Sequence, residues 1–137
     1  MSDKPNKIIK YLSGKWNCKN IVIKPKEKPR EFSYKETIKI KNNNTISITA
    51  FGIDNGNDFT KDMQIDLSDN HLTLSQDDFS VAGKYFENFA ELVNENYRNN
   101  KYLIRIFLLE ENYIYQMEVY NKTKLISSQF SYLTKIK

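Results

Sequence analysis

The sequence predicts an all-β protein, a closed antiparallel up-and-down β-barrel of about ten strands with a short N-terminal helix. Three observations point there. From Lys15 onward, apolar residues recur at period two in short runs that continue almost to the last residue, the pattern of strands with one buried face. Turn-forming clusters such as Asn42-Asn43-Asn44, Asp54-Asn55-Gly56-Asn57 and Ser68-Asp69-Asn70 punctuate those runs, at the roughly 8–12-residue spacing of sandwiches and barrels. Nearly every link is of hairpin length, which favours a meander over a Greek key, and no long helical pattern intervenes to build parallel βαβ units. A meander of so many strands leaves two exposed edges unless it closes on itself.

In chain order, residues 3–12 read as one or two helical turns. Asp3 is the expected N-cap, Lys4-Pro5 start the turn, and Ile8, Ile9, Tyr11 and Leu12 form an apolar stripe. So short a helix is unstable alone and is expected to lie across an apolar surface as a plug. Gly14 and Trp16, the only Trp, follow it. Gly allows a tight turn and a close approach, and Trp supplies the largest apolar surface, so the pair is expected to close one end of the barrel. Trp16, Cys18, Asn20 and Val22 make one face of the first strand, which Pro25 and Pro29 end. In the second strand Phe32, Tyr34, Glu36, Ile38 and Ile40 alternate with Ser33, Lys35, Thr37, Lys39 and Lys41. Further runs follow at residues 46–50, 63–67, 72–74, 79–83, 89–92, 102–109, 112–120 and 125–136. The run from Tyr102 to Leu109 is apolar on both faces, broken only by Arg105. One face must look inward, and the other needs cover from the helix or a second subunit.

With 137 residues, 39% hydrophobic and 13% aromatic, the chain suits a single domain over residues 1–137 with a core of its own. The net charge of +4 is unevenly spread: residues 1–41 hold twelve Lys/Arg against four acids, and residues 42–100 hold three against ten. The basic residues mostly alternate with apolar ones, as on the wet face of a strand, and do not cluster with stacking aromatics. No nucleic-acid partner is therefore expected. Cys18 is the only cysteine, which excludes an intrachain disulfide and a thiolate cluster. No secretory signal or membrane span is visible, so a reduced, cytoplasmic setting is expected.

The short helix, Gly14-Lys15-Trp16 entering the first strand, and about ten antiparallel strands resemble the calycins, the superfamily of lipocalins and fatty-acid-binding proteins. The likeness in strand order covers nearly the whole chain, and the residue motif only Gly14, Lys15 and Trp16. The resemblance implies a barrel enclosing a small hydrophobic molecule, with a late-strand cation, Arg105 or Lys135, stacked on Trp16. Residues 6–19, with Ile8-Ile9 and Ser13-Gly14-Lys15-Trp16, are similar to the opening of the S-type phycobilin lyases. Ser127-Ser128-Gln129-Phe130-Ser131 is similar to their last strand, while the middle of the chain has no clear counterpart. That resemblance implies an alternative function: delivery of a tetrapyrrole, such as a bilin, to a cysteine of a phycobiliprotein partner. Tyr34-Lys35-Glu36-Thr37 resembles a strand of the haem-binding nitrobindin-like barrels. Their haem ligand is a His near the C-terminus, and the sole His here, His71, lies in an expected turn, so that ligation does not carry over.

Catalytic and metal-binding patterns are not expected. His71 reads as a turn residue and Cys18 as a small core residue. Asp62, Asp66, Asp69, Asp77 and Asp78 lack the spacing of a calcium loop. No cofactor follows from the residues themselves; a bilin or other tetrapyrrole enters only through the resemblance. Glu36 is more informative. It shares a face with Phe32, Tyr34 and Ile38 and should point inward, where a carboxylate needs a partner or a proton. Arg105 is the candidate partner, and the pair would either anchor the polar end of a ligand or serve as a structural ion pair. Tyr34 and Tyr115 join them as candidate ligand-binding residues, and Tyr102, Tyr113 and Tyr120 are further hydroxyls that could bond a ligand or fill the core and rim. The function expected is binding of a small hydrophobic or amphipathic molecule without transforming it. The alternatives are the lyase and a filled barrel acting through its surface, with a homodimer or a phycobiliprotein as protein partner.

Overall fold

The computed structural model describes residues 7–136; the expected helix start at Asp3, Lys4 and Pro5 lies outside them. A short helix, α1 (Lys7–Leu12), leads into β1 (Gly14–Ile23), β2 (Arg30–Asn42), β3 (Thr45–Asp54), β4 (Asn57–Ser68) and β5 (His71–Gln76). Then come β6 (Phe79–Tyr85), β7 (Phe89–Tyr97), β8 (Asn100–Leu108), β9 (Asn112–Asn121) and β10 (Lys124–Lys135). Each strand pairs antiparallel with its neighbours in sequence, and β1 pairs with β10 to close the barrel. The expected meander, its closure and its short helix are all present.

Local chemistry explains the connections. β1 stops before Pro25, and β2 starts directly after Pro29, because a ring in place of the N–H ends a ladder. Asn55-Gly56 joins β3 to β4 with φ of 52° and 78°, the left-handed pair that a two-residue hairpin turn requires. Arg98-Asn99 does the same between β7 and β8, with φ of 51° and 70°.

Side-chain parity decides what lies inside. Ile46, Leu67, Leu72, Leu92, Ile104 and Leu133 are buried and fill the half of the barrel next to α1. The helix plugs that end by burying Ile8, Ile9 and Leu12, each worth about 1.5–3 kcal/mol in apolar area removed from water. It stops where Ser13 N–H bonds the carbonyl of Ile9 at 3.1 Å, and Gly14 then takes φ 126°. A Cβ at that position would stand 3.1 Å from Lys135 Cε. Trp16 is fully buried here, and its Nε1–H donates to Leu12 O at 2.9 Å. Lys135 Nζ lies 5.4 Å from the Trp16 ring centroid, and Tyr113 meets that ring edge-on at 4.8 Å. Of the two candidate cations, Lys135 takes the place over the Trp.

Two expectations are corrected at the edges. Ile40, assigned to the buried row of β2, is 42% exposed, because the β1–β2 ladder ends at Gly14↔Ile38 and the strand beyond it pairs only with β3. The helix caps the barrel end instead of covering the outer face of β8. That face relies on cross-strand neighbours: Phe107 packs on Phe89 of β7 with ring centroids 5.2 Å apart.

Candidate functional site

The half of the barrel away from α1 is hollow. A cavity of about 490 Å³ opens through that end, among the turns that join the strands there. The inward rows of nearly every strand contribute to it, including Val22 from β1, Ala50 from β3, Met63 from β4, Tyr102 from β8 and Gln129 from β10. Two aromatic clusters line its walls. Phe32, Tyr34 and Phe59 meet at centroid distances of 5.9–6.0 Å on β2 and β4. Phe79, Tyr97 and Tyr102 meet at 4.8–5.8 Å on β6, β7 and β8.

The polar groups lie deeper. Period-two alternation on β2 turns Glu36 inward between Tyr34 and Ile38, and the residue is only 5% exposed. Its Oε1 accepts a hydrogen bond from Tyr113 OH, and its Oε2 has the Tyr34 hydroxyl at 3.5 Å, the outer limit of such a bond. Burial pushes the Glu36 carboxyl up to about 7, while the Tyr113 and Tyr34 hydroxyls pull the other way. The same burial, with the Glu36 charge behind it, raises Tyr34, Tyr113 and Tyr115, so these phenols stay protonated donors. Cys18 is pushed up to about 12, chiefly by burial, which leaves it an inert thiol in the core beside Tyr34. Behind Tyr34, Ser131 donates to Asn20 Oδ1, and the buried Asn20 Nδ2 finds no acceptor among the described residues.

At the mouth, charges are mostly matched. Arg30 bonds Asp54, and Arg98 stands 3.6 Å from Asp78, which also accepts from Tyr97 OH. Each guanidinium lies over an aromatic ring, Arg30 over Phe32 at 5.2 Å and Arg98 over Tyr97 at 5.0 Å. Lys61 has no acidic partner within ion-pair distance among the described residues. It belongs to the inward row of β4, and its exposed ammonium lies 5.9 Å from the Phe59 centroid at the opening.

Of the residues singled out from the sequence, Tyr34, Glu36 and Tyr115 converge on the cavity. Arg105 does not. It alternates with the inward Ile104 and Ile106, so it points outside, where it bonds Glu91 at 3.0 Å and Glu118 at 3.2 Å. The expected Glu36–Arg105 pair is therefore corrected to a Glu36–Tyr113 hydrogen bond, and among the described residues no cation supports an anionic ligand at that point. Tyr120 also faces outward, bonded to Glu118, and His71 begins β5 at the plugged end, away from this cavity. Lys61 was legible as the residue two before Met63 in the same alternating row. Tyr113 as the partner of Glu36 was not, since β2 and β9 are not neighbours in the sheet.

No protein-family model matches the chain, and no curated protein matches it significantly by sequence. Solved structures do match in fold. An S-type phycobiliprotein lyase, CPES, from Guillardia theta is similar with a TM-score of 0.76 at 11% identity, over 96% of this chain and 92% of that one. A DUF3598-family protein of unknown function from Nostoc punctiforme is similar with a TM-score of 0.71 at 14% identity. The match covers 97% of this chain and 51% of that one, so this chain spans about half its length. A redesigned β-barrel bound to DFHBI, mFAP1, is similar with a TM-score of 0.52 at 13% identity, over 95% of this chain and 100% of that one. At these identities the likeness is one of barrel fold.

Proposed function

We propose that the barrel binds one small, largely apolar molecule in its open half and does not transform it. The observation that carries this reading is the cavity itself: about 490 Å³, open at one end, with aromatic walls and a few buried polar groups. That volume and lining are those of small-molecule sites, and an interior plugged by α1 at one end and open at the other defines which end the ligand enters. The redesigned barrel bound to DFHBI supports it, since a barrel of this general shape binds a small molecule. Titration with the neutral fluorophore N-phenyl-1-naphthylamine tests it. Saturable binding with one site per chain is expected, in the micromolar range that apolar burial supports after association costs. Ala50→Phe, which puts a ring into the cavity, should weaken binding at least tenfold while the far-ultraviolet circular dichroism stays unchanged. Absence of saturable binding, or equal binding by the variant, overturns the reading.

A second reading is delivery of a bound tetrapyrrole to a cysteine on another protein. The similarity to the S-type phycobiliprotein lyase favours it. The chain's own Cys18, buried and held protonated, would not compete as acceptor. Co-expression with a bilin pathway and an acceptor phycobiliprotein separates the two readings: a lyase produces covalently coloured acceptor, and a simple binder does not.

A further inference from the structure

Resting on that ligand-binding reading, the geometry points to a more specific occupant: we infer that Glu36 is the counter-ion for a ligand with a protonated nitrogen, an amine or cationic N-heterocycle carried on an apolar or aromatic body. Three observations converge. First, the carboxylate is half-satisfied. Tyr113 bonds Oε1, while Oε2 has only the long 3.5 Å contact with Tyr34, leaving an acceptor inside the cavity that a ligand N–H can complete. Second, no cation of the described residues lies within ion-pair distance of it. Arg105 is held outside by Glu91 and Glu118, and Arg30 is held at the mouth by Asp54. Third, the adjoining wall is aromatic: Tyr34 and Phe59 meet edge-to-face at 5.9 Å, with Phe32 beside both. A carboxylate beside a ring cluster is the chemistry that recognises organic cations, through charge below and ring faces at the side.

Lys61 is the internal competitor. Glu36 pairs with Ala50, and Ala50 pairs with Lys61, so the two charged residues share one inward row with only a methyl group between them. The ammonium nevertheless sits over Phe59 at the mouth. The other titratable groups around Glu36 are Tyr34 on β2, Tyr113 and Tyr115 on β9, and Cys18 on β1, all protonated and uncharged. A cationic ligand therefore meets a net negative charge at depth whenever Glu36 is ionised.

The test compares 2-naphthylmethylamine, protonated throughout, with its neutral isostere 2-naphthylmethanol, by calorimetry between pH 6 and 8. The amine should bind at least about tenfold tighter than the alcohol at pH 8, as for a charge pair out of bulk water. Its advantage should shrink toward pH 6 as Glu36 takes up a proton. Glu36→Gln should remove the preference for the amine over the alcohol, and Lys61→Gln should leave that preference in place. The pH comparison in the wild-type protein stands even if Glu36→Gln does not fold. Equal binding of amine and alcohol at pH 8 overturns the inference and leaves the cavity reading intact. Loss of the preference in Lys61→Gln, or its persistence in Glu36→Gln, also overturns it. Binding of neither probe overturns both readings.

Discussion

Tyr113 on β9 donates its hydroxyl hydrogen to Glu36 on β2 across the barrel interior, with β10 and β1 lying between the two strands in the sheet. The bond is buried at both ends and ties opposite stretches of the chain. Removing it by Tyr113→Phe strands a carboxylate whose other contact is the long one from Tyr34. The variant should lose about 1.5–3 kcal/mol above neutral pH and less near pH 5, where Glu36 is protonated. Urea unfolding at the two pH values measures this, and equal losses at both would show that the ionised carboxylate is not what the hydroxyl supports.

Glu36 also sets a pH dependence. Burial raises its carboxyl from 4.5 to about 7 in the folded protein, so the folded state holds the proton more tightly than the unfolded chain. Its stabilising contribution is full below about pH 4.5 and declines as pH rises to about 7. Above that it is lost, a change on the order of 3 kcal/mol. Glu36→Gln cannot titrate. It should be more stable than wild type at pH 8, close to it at pH 5, and nearly flat between. A wild-type stability that rises through this window would contradict the raised carboxyl.

Trp16 should emit as a buried indole, well to the blue of Trp in water, because it is enclosed by α1, Tyr113 and Lys135. Trp16→Ala should cost about 3–5 kcal/mol through the cavity it leaves. Trp16→Phe retains most of the packing and loses the Nε1–H bond to Leu12 O, so about 1–2 kcal/mol is expected. Chemical denaturation followed by circular dichroism reads both, and a water-like native emission maximum would refute the enclosure.

Arg105→Gln should do little. Its ion pairs with Glu91 and Glu118 lie on the outer surface with partial exposure, where such pairs contribute about 0.2–1 kcal/mol. The affinity for N-phenyl-1-naphthylamine should be unchanged. A clear loss of binding would restore Arg105 to the interior.

The barrel was legible because its signals are local. Alternation, turn residues such as Asn55-Gly56 and the prolines around β1 each act over a few neighbours, and a meander needs little more. Lys135 over Trp16 was within reach for the same reason, since closing a meander puts the first and last strands together. The interior partnerships were harder. A Glu36–Arg105 pair conflicts with the alternation of β8 itself, which sends Ile104 and Ile106 inward and therefore Arg105 out. Finding Tyr113 instead required the stagger of four strands around a closed sheet, which no short stretch of sequence encodes. The hollow half was also hidden: whether inward side chains meet across a barrel depends on its bore and on where the plug sits, not on their apolar character alone.

Every ladder except one joins strands adjacent in the chain; the exception, β1 with β10, runs from Trp16↔Lys135 to Ile23↔Ser128. The hairpins can zip over short loops, whereas this seam must gather nearly the whole chain before its first bond forms, the slow kind of contact. The plug, Trp16 and Lys135 all sit on that seam. Closing it and enclosing the indole are thus coupled, so the change in Trp16 emission on refolding is expected to report closure of the barrel.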